Sequence, residues 1–339
     1  MRILLVTGIM NVPIVEGTQK SVLNLANGLV ERGHEVAWLT DEFPGRPEDL
    51  NKEVELIEED IRPFNWLSLR KASKSFDVVN VHTSSPRMGF FWRTVTPRKS
   101  IVTWAAWKDW DRREKMMQKL CNSSAVTEAV REKACGVNEV TSYSVDTETY
   151  RDKGKDDDRP CLMYIGKPSA RRGFDHVCEV LSRIESDFVF RYAVADARGD
   201  KEEAEDKLEE YGLSEQTELF SGFVADLPQY LSQADIFMNL VENTERITSP
   251  PILTLEAMAC ETVSFSSSDK DFTDLINDGE NGFTFDFDDY DEMAEKAEAL
   301  IQDKQRMKEI GVKGREVVKE NHSIEKSVDS FEELYRKSR

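Results

Sequence analysis

Three cations fall within ten residues, Tyr164-Ile-Gly166-Lys167-Pro-Ser-Ala-Arg171-Arg172-Gly173, where a strand pattern turns into a helical one. Lys and Arg at such a place can balance the charge of a diphosphate leaving group without a metal. The plainer alternative is a set of solvated loop cations, which the acidity of the flanking sequence disfavours. A second feature is Ser249-Pro-Pro-Ile-Leu-Thr254-Leu255-Glu256-Ala-Met-Ala-Cys260, with a carboxylate inside an apolar helix. Buried Glu is costly unless hydrogen-bonded, and either ribose hydroxyls or structural backbone donors would serve. A third is the glycine loop Gly8-Ile-Met-Asn-Val-Pro-Ile-Val-Glu-Gly17-Thr18. Gly17 permits close approach of a ligand to backbone, and Thr18 is expected to cap the following helix. The loop is not G-x-G-x-x-G, so a nicotinamide dehydrogenase lacks its main signature.

Other patterns carry less. Asp109-Trp-Asp111, Asp269-Lys-Asp271, Asp286-Phe-Asp288 and Asp289-Tyr-Asp291 all read D-x-D, but an acidic chain produces that pattern cheaply. The four His (His34, His82, His176, His322) lack metal-ligand spacing to one another, so no metal site is expected. Ser84 and Ser85 lack a nucleophile-elbow context.

The elements that must hold these residues alternate between short apolar strands and helices. Strands are expected at 3–7, 35–40, 77–82, 100–104, 162–166, 188–195, 218–220, 235–240 and 262–265. Helices are expected at 18–32, 127–134, 174–184, 201–211, 252–260, 290–302, 305–320 and 324–337. The polar stretch Arg151-Asp-Lys-Gly-Lys-Asp-Asp-Asp-Arg-Pro160 is the best linker candidate. An α/β chain of 339 residues with one restart implies two doubly wound domains facing across a cleft. Their expected bounds are 1–155 and 156–322, followed by a helix at 323–339.

Composition excludes several classes. No run approaches the ~20 apolar residues of a membrane span. The N-terminal Met1-Arg-Ile-Leu-Leu-Val-Thr7 is too short for a signal peptide, and a first strand is expected there. Five Cys, odd in number and without a C-x-x-C pair, fit reduced thiols and a cytoplasmic location. The net charge of −20 disfavours nucleic acid as a partner. That charge is uneven: residues 1–160 carry 24 basic and 25 acidic side chains, residues 161–339 carry 21 and 40. A solvated acidic surface suited to high salt is the simplest reading of the second half.

Residues 87–119 break the pattern with nine basic residues against three acidic ones. Arg87, Arg93, Arg112 and Arg113 are interleaved there with Trp92, Trp104, Trp107 and Trp110. Rings among cations suit a membrane interface, at the inner face of the membrane here, or an anionic lipid-linked ligand. The alternative is that some rings are core and the cations merely solvated.

In this order, these residues resemble the family 4 glycosyltransferases of the GT-B fold, most strongly over 161–339. Gly17-Thr18 stands where the family has a Gly-Gly loop, and Arg32-Gly33-His34-Glu35-Val36 is similar to its entry to strand two. Asp77-Val-Val-Asn-Val-His82 is similar to the strand ending in an acceptor-side His. Gly166-Lys167 and Arg172-Gly173 match the cationic positions that hold the donor pyrophosphate. Ser221-Gly222-Phe223-Val224 matches the segment whose backbone borders the base. Glu256, flanked by Thr254 and Leu255, matches the second Glu of Glu-x7-Glu, with ribose binding as its implied role. The first Glu is replaced by Thr248 on strict spacing, or is Glu245 if counted from the strand end at Leu240. Glu261 and Val263 stand where Gly and Pro are usual. The last helix is expected to cross back onto the N-terminal domain.

The resemblance implies a retaining, metal-independent transferase that needs no cofactor. Lys167, Arg172, His82 and Glu245 would serve the chemistry. Gly17, Thr18, Gly166, Phe223, Val224, Thr254, Leu255 and Glu256 would bind a nucleotide-sugar donor. The expected acceptor is a glycan or a lipid-linked sugar held by the 87–119 region. Two rivals remain: a GT-B module that binds without turnover, and a sugar-nucleotide epimerase.

Overall fold

The computed structural model describes residues 1–339 except 9, 15, 43, 62–64, 195–198, 243, 288 and 339. Of the sequence expectations, the end of the 188–195 strand at Ala195 and the Asp288 of one D-x-D lie outside the described residues, as do Ile9 and Val15 of the glycine loop. The chain forms two compact units.

The first unit comprises Met1–Asp146, Glu245–Ile252 and Asn321–Arg339. Its sheet uses β1 (Arg2–Val6), β2 (Glu35–Thr40), β3 (Glu55–Glu58), β4 (Val78–Thr83), β5 (Ser100–Trp104), β6 (Ser123–Ala125) and β7 (Glu139–Val140). The spatial order is β3-β2-β1-β4-β5-β6-β7, and every pair is parallel. Parallel strands need crossovers, and helices supply them: α1 (Gly17–Glu31), α2 (Trp66–Ser73), α3 (Pro86–Val95), α4 (Arg112–Lys119) and α5 (Glu128–Lys133). The α1 stripe Val22, Leu25, Ala26, Leu29 and Val30 is buried, as its spacing predicts, and the helix stops before Gly33 at φ +79°.

The second unit comprises Thr147–Thr244 and Leu253–Glu320. Its strands are β8 (Cys161–Ile165), β9 (Val189–Val194), β10 (Thr217–Ser221), β11 (Ile236–Asn239), β12 (Val263–Ser267) and β13 (Phe283–Phe285). They lie in the order β10-β9-β8-β11-β12-β13, again all parallel. The crossovers are α6 (Phe174–Leu181), α7 (Asp200–Glu210), α8 (Leu227–Ser232), α9 (Ile252–Ala259) and α10 (Lys270–Thr273). Helices α11 (Tyr290–Gln302) and α12 (Lys304–Asn321) complete it.

Both sheets run outward from a first strand and then reverse, which creates a switch point between β1 and β4 and another between β8 and β11. In such sheets ligands bind at the carboxyl ends of the strands beside that reversal. The core of the second unit is aromatic at this place: Tyr164, Phe174, Phe190 and Tyr192 all lie under it.

The last helix, α13 (Ile324–Lys337), belongs to the first unit. A β-carbon on Gly28 would lie 2.6 Å from Val328 and 2.7 Å from Ile324, so the bare glycine lets α13 approach α1 closely. Beneath it, Asn80 Nδ2 donates to Tyr335 Oη at 2.8 Å and Thr103 donates to Asn80 Oδ1 at 2.8 Å. This satisfied polar chain fixes the helix over β4 and β5.

Candidate active site

At the carboxyl end of β8 the chain enters the loop 166–173. Gly173 sits at φ +82°, and a β-carbon there would stand 2.0 Å from the Leu240 carbonyl at the end of β11. Only glycine lets the start of α6 come this close to the end of β11. Lys167, Arg171 and Arg172 are all exposed. The carboxylate facing Lys167 is that of Asp200, with Oδ2 at 3.9 Å. Helix α6 begins directly after Gly173 without a side-chain cap, so its first amides add positive potential beside the three cations.

The loop's inner side is held by two buried phenols. Tyr164 Oη lies 2.9 Å from the Lys167 carbonyl and 3.1 Å from that of Arg172. Tyr192 Oη donates to the Gly166 carbonyl at 3.2 Å. Sequence reading missed both tyrosines. The signal was their place in buried, mostly apolar strands, where a phenol must find a partner.

The segment after β10 lies on the same sheet edge. Gly222 has φ +117° and its N–H bonds the Val194 carbonyl at 2.9 Å, while Phe223 is 52% exposed. Val224 is half-buried next to it. An exposed aromatic just past a strand end offers a flat apolar face to a ring.

Helix α9 carries Glu256, which is buried at 3% exposure. Thr254 and Leu255 are fully buried, and Asn239 Nδ2 bonds Thr254 Oγ1 at 2.9 Å. With their side chains buried, Thr254 and Leu255 can meet a ligand through their backbone amides, which belong to the first turn of α9. At the far end of α9, Arg315 bonds the carbonyls of Ala259, Tyr150 (2.8 Å) and Thr147 (2.9 Å), a cation at a helix C-terminus.

In the first unit the glycine loop is occupied. A β-carbon on Gly17 would meet Ile252 Cγ1 at 3.1 Å and Thr248 Cβ at 3.3 Å. Thr18 does not cap α1. Glu16 does, accepting from the Gln19 N–H at 2.9 Å, and Thr18 instead bonds Thr248 at 3.0 Å. Glu245–Ile252 is tied along the ends of β5 and β6. Arg246 N–H bonds the Trp107 carbonyl at 2.7 Å, and Ser249 N–H bonds that of Ala105 at 2.9 Å. The Ser249 hydroxyl lies 2.7 Å from that of Thr127. Glu245 is paired with Arg246 at 3.4 Å.

Burial bears on three further residues, His82, Trp104 and Trp110. His82 does not open onto a surface: it is 3% exposed, stacked on Tyr143 and against Phe331, with Nδ1 3.0 Å from Tyr143 Oη. Burial lowers its pKa to about 3, so the ring is neutral and is no proton shuttle at the surface. Trp104 and Trp110, at 0% and 2% exposure, pack on one another inside the unit and cannot meet a lipid. Trp107 is half-buried beneath the Lys133 ammonium, 5.0 Å from the ring centre.

The exposed apolar groups of this region are others: Trp66, Leu67, Met116 and Leu120. They belong to α2, to α4 and to the residue after α4, and α3 packs against both helices. Arg87, Arg112 and Arg113 are exposed on α3 and α4, and Arg93 is half-buried. Among the described residues no helix is long and apolar enough to cross a membrane. Two of the D-x-D pairs supply helix caps. Asp111 caps α4 in a capping box with Glu114, and Asp269 caps α10 while bonding Thr244.

Known proteins share this fold. The family profile described as Glycosyl transferases group 1 matches residues 145–317, and that of Glycosyltransferase Family 4 matches residues 15–134. The chain is 27% identical over 207 residues to alpha-maltose-1-phosphate synthase of Mycolicibacterium smegmatis, covering 57% of this chain and 51% of that protein. It thus spans about half the length of the curated relative it matches. A glycosyltransferase from Rickettsia africae superposes with a TM-score of 0.82 at 16% identity, over 98% of both chains. Anabaena HepE, in a complex with UDP, superposes with a TM-score of 0.82 at 12% identity, over 99% of this chain and 100% of that one. The profile match over residues 145–317, joined by the second over 15–134, places this chain in the group 1 glycosyl transferases.

Proposed function

We propose that this protein transfers a sugar from a nucleotide-diphosphate sugar to a glycan or lipid-linked acceptor, with retention at the anomeric carbon and without a metal. One observation carries the reading: Lys167, Arg171 and Arg172 stand exposed at the β8–β11 switch point of a unit that is otherwise strongly acidic. In the reaction the bond between the anomeric carbon and the donor phosphate oxygen breaks as the acceptor oxygen bonds to that carbon. The acceptor proton passes to the departing phosphate on the same face. Lys167, Arg172 and the first amides of α6 stabilise the charge that gathers on the diphosphate. Glu256 receives the ribose hydroxyls, and Phe223 borders the base. The exposed basic and apolar groups of α2, α3 and α4 hold the anionic carrier of a lipid-linked acceptor at the membrane surface.

The test is turnover of a radiolabelled nucleotide-sugar panel in the presence of EDTA. Lys167→Ala and Arg172→Ala are each expected to lose at least ~100-fold in kcat/KM, about 2.7 kcal/mol of transition-state stabilisation, with the melting point unchanged. Wild-type turnover in the double variant would refute the assignment. A second reading, a module that binds donor without turnover, is favoured by Thr248 at the strict position of the first motif Glu. Donor binding with neither transfer nor hydrolysis across the panel would select it.

A further inference from the structure

An anion site needs more than cations. Backbone carbonyls carry negative dipole ends, and every residue of the loop 166–173 has one that must point somewhere. Three of them are drawn to the interior. The carbonyls of Lys167 and Arg172, the two residues assigned to the diphosphate, converge on one phenolic oxygen, Tyr164 Oη. The carbonyl of Gly166 is taken by Tyr192 Oη. A phenol has one hydrogen to donate, so Tyr164 shares it between acceptors at the two ends of the cationic stretch and thereby sets the width of the loop. Short backbone turns tie the loop further, Arg172 N–H to Ser169 and Gly173 N–H to Ala170.

We propose that Tyr164 and Tyr192 are positioning residues for donor binding, which hold the carbonyls of Gly166, Lys167 and Arg172 away from the diphosphate and leave the cationic side facing it. The inference rests on the donor reading above and goes beyond it by assigning a role to two side chains that touch no substrate. Both rings are buried and packed against one another and Phe174, with centroids 4.5 to 5.4 Å apart. The phenols are therefore locked in place. Space is tight as well: a β-carbon on Gly166 would stand 2.7 Å from Tyr164 Oη, so the glycine is required for the phenol to pass beneath the loop. Burial raises the pKa of both phenols far above the physiological range, which keeps each a donor.

Tyr164→Phe and Tyr192→Phe keep the rings and remove only the hydroxyls. The experiment is calorimetric titration of wild type and both variants with UDP, GDP and ADP, and with the matching nucleosides. For whichever diphosphate binds wild type, Tyr164→Phe is expected to weaken affinity about tenfold and Tyr192→Phe about threefold. Affinity for the nucleoside is expected to stay within about twofold, because it does not reach the loop. Equal weakening of nucleoside and diphosphate would show a general loosening of the domain and overturn the positioning role. Unchanged diphosphate affinity in both variants would overturn it too. A wild-type protein that binds none of the three diphosphates refutes the donor reading itself, and this inference with it.

Discussion

Thr248 donates its hydroxyl hydrogen to Glu16 Oε1 at 3.1 Å and accepts one from Thr18 at 3.0 Å. The position that on strict spacing would hold the first Glu of Glu-x7-Glu is therefore a neutral donor, facing a carboxylate from the residue that caps α1. A second carboxylate could not be tolerated there at no cost.

Thr248→Glu is expected to lower stability by about 1 kcal/mol, the scale of like charges at an exposed site. Adding Glu16→Gln removes the repulsion and is expected to restore most of that loss. Urea midpoints of the single and double variants measure it as a cycle. An equal loss from Thr248→Glu with and without the Glu16→Gln change would show that the carboxylates do not interact.

Glu261 occupies the left-handed region at φ +64°, in the turn two residues after α9, where the resemblance expects glycine. An L-residue is strained there. Glu261→Gly is expected to stabilise by about 0.5–1 kcal/mol after the entropy of the unfolded chain is counted, raising the melting point by about 2 °C. The converse change is predicted at Gly311, where a β-carbon would lie 1.9 Å from the Glu261 carbonyl. Gly311→Ala is expected to cost about 2 kcal/mol. A melting point unchanged by either substitution would contradict this account.

His82 has a folded pKa of about 3 against 6.5 when solvated, so it is the unfolded chain that takes up the proton first as pH falls. Stability from this residue is intact above pH 6.5 and is lost on going down toward pH 3, with a slope of up to ~1.4 kcal/mol per unit. Buried His322, shifted in the same direction, adds to the effect. Between about pH 7 and about pH 5, His82→Gln should lose about 2 kcal/mol less than wild type. Identical pH slopes for the two proteins would exclude His82 as the origin.

The membrane proposal makes a prediction about charge and another about burial. Each cation near an anionic surface contributes about 1 kcal/mol, so Arg87→Glu/Arg112→Glu/Arg113→Glu should lower partition onto anionic vesicles by at least about tenfold. Trp104→Phe and Trp110→Phe, both in the core, should shift the melting point and leave flotation unchanged. Vesicle binding that is lost with the buried rings and kept in the charge-reversed variant would reverse the assignment.

Much of the architecture is periodic and so was legible. Strands at 35–40 and 100–104 and helices at 290–302 and 324–337 carry enough apolar spacing to be read directly. Short or polar elements such as β3, β6, β7 and α4 were not visible, because their burial is lent by neighbours rather than by their own pattern. The cationic loop was readable as chemistry. Its phenolic support was not, because Tyr164 and Tyr192 reach it from two different strands.

What the chain's residues settle by themselves is local: alternating β and α, the −20 charge and its concentration after residue 160, the three cations and the glycine that ends their loop. Tertiary structure alone decided which rings are core, that Glu16 rather than Thr18 caps α1, and that Thr248 lies against a loop 230 residues away. It also decided that His82 is sealed under α13. The reason is that spacing along a chain specifies which face of an element is apolar. What covers that face depends on strand order and on partners distant in sequence, and these enter the energy only once the sheet has formed.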